Sequence, residues 1–361
     1  MVRELQSGDR IIIYGTGFAG KILAIFIELF TEASVEAFAC SNGYKKENTY
    51  CFPKRMIKKS IPIYEYSELT FDLSNYYFIN AVALKHEEVE AFLNSDVRIR
   101  NALVDIEPDA WHRQMLVCRR FCEVYGMDVS KELVDCNGMK FYIKPDDDDF
   151  MINFYGTFAD TFVPQMLGEL ALSNDGPYEI EEYGVTINEG DYVVDVGANE
   201  GLYSCYAAYK NCEVYACDCN EKCLEMLEQQ RSLYPNRIII LPYAISDHVG
   251  TDIFYESDNR GMGSLHLPRG KVTEKKVNLE TLDNLVLDGR IKHVDFIKAD
   301  IEGAERDLLR GATYVLKTMA PKLSICTYHY PEDPELLESI IKEANPDYIV
   351  MHAWGKLYAH V

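Results

Sequence analysis

Asp191-Tyr192-Val193-Val194-Asp195-Val196-Gly197-Ala198-Asn199-Glu200-Gly201 is the stretch on which the fold turns. The apolar run 192–194 predicts a short buried strand that ends in Asp195. Gly197 and Gly201 mark a turn, and behind it Leu202, Tyr203, Tyr206 and Ala207 recur at helical spacing. Strand, glycine turn and helix in that order build a ligand crevice at the carboxyl edge of an open α/β sheet. Glycine lets the backbone come close to a ligand, and the helix that follows opens with unpaired N–H groups. The turn lacks the Lys-Ser/Thr pair of a P-loop, which argues against a nucleoside triphosphate. Asp195 and Glu200 instead set negative charge beside it. A cationic ligand such as S-adenosyl-L-methionine suits that charge better than a pyrophosphate.

Residues 212–217 read as the next strand, with Asp218 at its tip. An acid there is placed to accept hydrogen bonds from both hydroxyls of a ribose. The alternative is a cap for the helix that starts near Asn220. Turn and acid together point to an adenosine-type ligand without choosing between a methyl donor and a dinucleotide.

Downstream, a helix over 221–233 and a strand over 237–241 lead to Ala244-Ile245-Ser246-Asp247. Ser246 or Asp247 is placed to meet an adenine amino group; an ordinary polar turn is the competing reading. Short strands at 251–255 and 275–279 flank Gly261-Met262-Gly263-Ser264, an excursion that predicts a substrate-facing flap. The apolar run 293–299 predicts a central strand, and Asp300, Glu302 and Glu305 surround Gly303 directly after it. A strand at 322–327 ends in Tyr328-His329-Tyr330, and 348–352 with 357–361 form a closing antiparallel pair.

These residues resemble the FkbM methyltransferase family: DVGANEG at 195–201, AISD at 244–247, ETLDNL at 280–285 and FIKADIEGAE at 296–305, with a weaker match at 327–331. The resemblance runs from about 188 to 348, and DIEGAE is its most specific piece. It implies an α/β fold with a C-terminal seven-stranded doubly wound sheet of the class I methyltransferase, Rossmann-like kind. It implies S-adenosyl-L-methionine as cofactor and O-methylation of a hydroxyl on a sugar, a polysaccharide precursor or a secondary metabolite. Donor-site roles carry over onto Asp195, Gly197, Asn199, Gly201 and Asp218, with Ala198 and Glu200 inside the same turn. Cys217-Asp218-Cys219 departs from the family, which more often has an aromatic residue, Glu and Pro. Asp is one methylene shorter than Glu, so the ribose must sit closer or be met through water.

Such an enzyme must align the methyl group with an acceptor oxygen, exclude water and remove the acceptor's proton. His329 is the first candidate base because imidazole titrates near neutrality. Asp300 and Glu302 are the second candidates, against a structural role as caps of the next helix. No ligand spacing demands a metal, so none is expected. Cys212, Cys217, Cys219 and Cys223 lack the paired CxxC spacing of a zinc or iron–sulfur site.

The N-terminal part reads as a smaller Rossmann-like α/β domain over 1–97, joined by helices and a β-hairpin over 98–178 to a methyltransferase domain over 179–361. Gly15, Gly17 and Gly20 make a GxGxxG between a strand at 11–14 and a helix at 21–30. The following strand, 35–40, ends in Ser41-Asn42, so the ribose acid of an NAD site is missing. Lys45, Lys46, Lys54, Arg55, Lys58 and Lys59 come next, a solvated loop or a site for a nucleotide-sugar. Asn137-Gly138 between apolar strands predicts a hairpin, and 158–172 a helix. Asp146 to Asp149 reads as an exposed acidic turn.

A net charge of −22 over 361 residues argues against nucleic acid or an anionic membrane as partner. The longest apolar stretch, 22–30, is broken by Glu28 and is too short to span a bilayer. An odd 11 cysteines within apolar patterns read as free thiols, and no signal peptide is expected, so the expected location is cytoplasmic. The expected partner is a small-molecule or glycan acceptor, with a homo-oligomer left open. The rival function is a non-catalytic nucleotide-sugar-binding or scaffold protein on a degenerate methyltransferase fold. A sugar-nucleotide oxidoreductase using the Gly15–Gly20 turn is weakened by the missing acid.

Overall fold

A computed structural model describes residues 5–16, 18–52, 57–81, 86–99, 101–102, 110–124, 126–136, 138–147, 150–151, 154, 177–257, 263–268, 270–353 and 355–361. Contacts divide the described residues into one unit that runs to Met127 and a second that starts at Asp128. The second unit therefore begins well before residue 179, because the hairpin of the connecting stretch belongs to it.

The first unit contains β1 (Arg10–Tyr14), α1 (Phe18–Phe30), β2 (Ser34–Cys40), β3 (Thr49–Cys51), β4 (Ser60–Glu65), β5 (Tyr77–Asn80), α2 (His86–Ser95), β6 (Asn101–Ala102) and α3 (Ala110–Val124). Its sheet has the order β3-β4-β2-β1-β5-β6, and all pairs are parallel except β3 with β4. Ile12, Tyr14, Ala37, Ala39, Phe78 and Leu93 form part of its core. At the Gly15–Gly20 turn, a Cβ on Gly20 would stand 2.1 Å from the carbonyl oxygen of Gly15. Gly20 is thus required for the tight strand-to-helix passage itself. Gly17 lies outside the described residues.

The second unit opens with the hairpin β7 (Leu133–Cys136) and β8 (Met139–Tyr142). Gly138 takes a φ of 93°, as a two-residue turn needs, while Asn137 is outside the described residues, as are Asp148, Asp149 and 158–172. The main elements follow in order: β9 (Tyr192–Val196), α4 (Leu202–Tyr209), β10 (Glu213–Cys217), α5 (Glu221–Leu233), β11 (Ile238–Leu241), β12 (Ala244–Ile245), β13 (Gly250–Ser257), β14 (Val272–Glu280), α6 (Leu282–Leu287), β15 (Phe296–Ala299), α7 (Glu305–Arg310), α8 (Thr313–Thr318), β16 (Lys322–Cys326), α9 (Asp333–Ala344), β17 (Ile349–Ala353) and β18 (Lys356–His360).

Seven strands form the main sheet in the order β11-β10-β9-β15-β16-β18-β17. Only β18 runs antiparallel to its neighbours. The order reverses between β9 and β15, and such a switch opens a crevice at the carboxyl ends of the strands. This is an open, doubly wound α/β sheet. The central strands are covered on both faces, so β15 is buried at every position. Val194, Val196, Ile297, Ala299, Leu323 and Ile325 meet Leu308, Leu309, Leu337 and Ile341 of the helices in one core. A separate three-stranded sheet has the order β12-β14-β13.

Candidate functional site

The strand β9 runs two residues further than its apolar run suggests, to Val196, and takes Asp195 into the sheet. Asp195 is fully buried. Opposite it in register stands Lys298 of β15, whose Nζ lies 3.0 Å from Asp195 Oδ1 and donates to the carbonyl of Gly197 at 2.7 Å. The Ser204 hydroxyl donates to Asp195 Oδ2 at 2.7 Å. Asp195 therefore holds the turn from beneath. Burial works against the Lys298 ammonium, but Asp195 and Asp300 outweigh it and raise its pKa.

The turn is locked by its own backbone. The N–H groups of Gly197 and Ala198 both donate to the carbonyl of Cys217, and that of Gly201 donates to Ala198. The N–H of Asn199 donates to Asp218 Oδ2 at 2.9 Å. With these donors engaged internally, the turn is no phosphate cradle. A Cβ on Gly197, where φ is 72°, would lie 2.2 Å from the carbonyl oxygen of Asp300. The glycine turn and the Asp300 turn are thus in direct contact, and only glycine fits between them. Asn199 itself has a φ of 50°. Glu200 is buried, and its carbonyl accepts from Gln230 Nε2 at 3.1 Å.

Asp218 stands just beyond β10. Its Oδ1 accepts the N–H of Asn220 at 2.9 Å. The cap of α5 is Asn220, which accepts the N–H of Lys222, so the capping role considered for Asp218 belongs to its neighbour. Two backbone hydrogen bonds leave Asp218 with lone pairs for two hydroxyls. Burial pushes its carboxyl up to about 6, against those hydrogen bonds.

Ser246 and Asp247 are differently placed. The Ser246 N–H donates to the carbonyl of Glu280, and its own carbonyl abuts Gly311 at the end of α7. Asp247 Oδ1 lies 2.6 Å from Nδ1 of the exposed His248. Their contacts run to β14 and α7, and nothing in them ties these two residues to the glycine turn.

The second cluster lies past β15 and β16. Asp300 Oδ2 accepts the Tyr178 hydroxyl at 2.8 Å, and Oδ1 accepts the Tyr328 hydroxyl at 3.0 Å. Glu302, with a φ of 53°, and Glu305 complete the turn. Glu305 Oε1 accepts the N–H of Ile301 at 2.9 Å and Oε2 that of Gly303 at 3.0 Å. The last acid of DIEGAE therefore braces the turn. The side chain of His329 is fully buried among all three acids. Burial disfavours its imidazolium, but Glu302, Glu305 and Asp300 overcome this and lift its pKa to about 10. Burial likewise raises the Asp300 pKa, yet Lys298, His329 and Lys356 bring it below the usual carboxylate range. Ser264, between β13 and β14, reaches this turn, its Oγ donating to the Glu302 carbonyl at 2.6 Å. Gly261 and Met262 lie outside the described residues.

Lys298, Tyr178 and Gln230 were not legible as site residues in the sequence, and Glu305 stood out only as one of the acids around Gly303. A lysine inside the apolar run 296–299 was the available signal, because a buried cation requires a buried anion. In the first unit, Lys45 pairs with Glu68 at 2.7 Å and Lys59 with Glu28 at 2.7 Å, while Lys54 and Arg55 are outside the described residues. At the β2 tip, Ser41 meets the Tyr14 hydroxyl and Asn42 accepts the Ser67 N–H. All 11 cysteines are free thiols.

The family model described as the methyltransferase FkbM domain matches residues 195–348. Hexuronic acid methyltransferase AglP from Haloferax volcanii is 30% identical over 159 residues, 43% of this chain. The match covers 63% of that relative's length. Methyltransferase FkbM from Methylobacillus flagellatus is 16% identical, with 98% of this chain and 90% of that chain covered at a TM-score of 0.43. A SAM-dependent methyltransferase from Aquifex aeolicus is 17% identical, with 50% of this chain and 87% of that chain covered at a TM-score of 0.28.

Proposed function

We propose that the chain, whose residues 195–348 match the methyltransferase FkbM domain model, transfers a methyl group from S-adenosyl-L-methionine to a hydroxyl oxygen of a sugar or sugar acid. The observation that carries the reading is Asp218. It stands at the tip of the strand beside β9, two hydrogen-bond acceptors of its carboxylate are fixed by Asn199 and Asn220, and its remaining lone pairs suit a ribose. The internally bonded turn 197–201 fits a donor without phosphates. The 30% identity to a hexuronic acid methyltransferase supports a sugar-acid acceptor.

When bound, S-adenosyl-L-methionine supplies a methyl group already activated by its sulfonium. The chain's residues orient, exclude water and take a proton. Lys298 and Asp195 keep the glycine turn in register with the Asp300 turn. The acceptor's proton goes to Glu302, since, against burial, Lys298, His329 and Lys356 hold the Asp300 carboxyl below the usual range and make it a weak base. Against burial, Glu302, Glu305 and Asp300 hold the His329 pKa well above neutrality, so the free side chain is not the base. Eleven free thiols fit residence in a reducing cytoplasm. Among the described residues no helix is long and apolar enough to cross a membrane.

Calorimetric titration with S-adenosylmethionine, S-adenosylhomocysteine and NAD tests the donor site. Binding of the first two and not of NAD is expected; the absence of both would return the scaffold reading to first place.

A further inference from the structure

The Asp300 turn holds more than methyl transfer needs. The His329 side chain has no solvent exposure, and neither ring nitrogen makes a well-formed hydrogen bond. Its Nε2 faces Glu302 Oε2 at 3.5 Å and Asp300 Oδ1 at 3.8 Å. One donor atom each from Asp300, Glu302 and His329 lies within 4.8 Å of the others. We propose that Asp300, Glu302 and His329 bind a divalent first-row transition cation at the carboxyl edge of the sheet, the cation displacing to solvent the proton that His329 carries in its absence.

Ligands at about 2.1 Å from one cation stand about 3.0–3.5 Å apart, so small side-chain movements close the set. The other ring nitrogen supports this assignment. His329 Nδ1 lies 3.1 Å from Glu305 Oε1, and Glu305 is held by the N–H groups of Ile301 and Gly303. A carboxylate behind the imidazole is the usual companion of a metal-bound histidine, fixing its orientation and raising its basicity. The histidine is sealed in, whereas the Asp300 and Glu302 side chains keep 23% and 14% exposure. Open coordination positions therefore face solvent, as in sites where a metal meets substrate. One imidazole with two carboxylates suits Mn²⁺ or Zn²⁺ better than Mg²⁺.

The role of the cation rests on the methyl-transfer reading. It holds the acceptor oxygen and lowers the pKa of that hydroxyl. The O–H bond breaks with its proton passing to the second oxygen of Glu302, the O–CH₃ bond forms, and the C–S bond breaks with its electron pair left on sulfur.

The full chain, stripped with a chelator, would be titrated with Mn²⁺, Zn²⁺ and Mg²⁺, with bound metal read by elemental analysis and Mn²⁺ by electron paramagnetic resonance. One equivalent of Mn²⁺ or Zn²⁺ is expected, in preference to Mg²⁺, with affinity falling roughly 100-fold in His329→Gln. If that variant does not fold, Glu302→Gln, with its partly exposed side chain, gives the same comparison. Substoichiometric binding by the wild-type chain, or wild-type affinity in Asp300→Asn and Glu302→Gln, overturns the site. S-adenosylhomocysteine affinity measured in parallel separates the two ideas: its loss with metal binding intact would sink the methyl-transfer role and leave the metal site standing.

Discussion

Asp218 and Gly197 show how much of the site rests on single atoms. Asp218 has a carboxyl lifted to about 6 by burial, and a ribose that donates two hydroxyl hydrogens favours its charged form. Affinity for S-adenosylhomocysteine, whose own charges are constant between pH 5 and 8, should therefore fall as pH drops below about 6, where the carboxylate takes up a proton. Asp218→Asn should lose that pH dependence and weaken binding roughly 10- to 100-fold; an unchanged profile in the variant would remove Asp218 from the donor site. Gly197→Ala tests the contact between the two turns. The added methyl meets the Asp300 carbonyl at a positive φ, so a loss of at least about 1–3 kcal/mol is expected in urea denaturation, together with loss of donor binding.

At the scale of elements, β9 and β15 are joined by more than their ladder. The buried pair of Asp195 and Lys298 sits at one register position and pins both turns that follow these strands. Removing one partner strands a charge in the core. Lys298→Met should cost about 3–5 kcal/mol, and the double variant Asp195→Asn/Lys298→Met should be less destabilised than the sum of the two single changes. Simple additivity in the double-mutant cycle would show that the pair is not coupled. The hairpin β7–β8 is the second such element. Tyr142 exchanges two hydrogen bonds of 2.8 Å with Gln230 of α5, and Gln230 also holds Glu200 in the glycine turn. A hairpin far from the motif in sequence thus braces the motif from outside.

For the whole molecule the consequence is where the methyltransferase unit begins. Phe141 and Met139 are buried, and they belong to a segment that sequence reading assigns to a connection. A fragment of residues 128–361 should be more stable than one of 179–361 by at least about 3 kcal/mol. Thermal unfolding of the two fragments checks this, and equal stability would return the boundary to residue 179.

The sequence alone was enough for the fold of the second unit. Its βα order, the glycine turn, Asp218 and the DIEGAE motif are local patterns, written in residues adjacent along the chain, and local geometry follows from local spacing. The same holds for the hairpin at Asn137-Gly138 and for the missing acid at Ser41-Asn42. What a residue faces across the sheet is not local. That Asp195 lies under the turn, that Glu305 braces the next one, and that His329 is buried among three acids all depend on strands brought together from distant parts of the chain. Tertiary structure decided these points because burial and charge pairing, which set a side chain's protonation and partners, exist only once the strands have met.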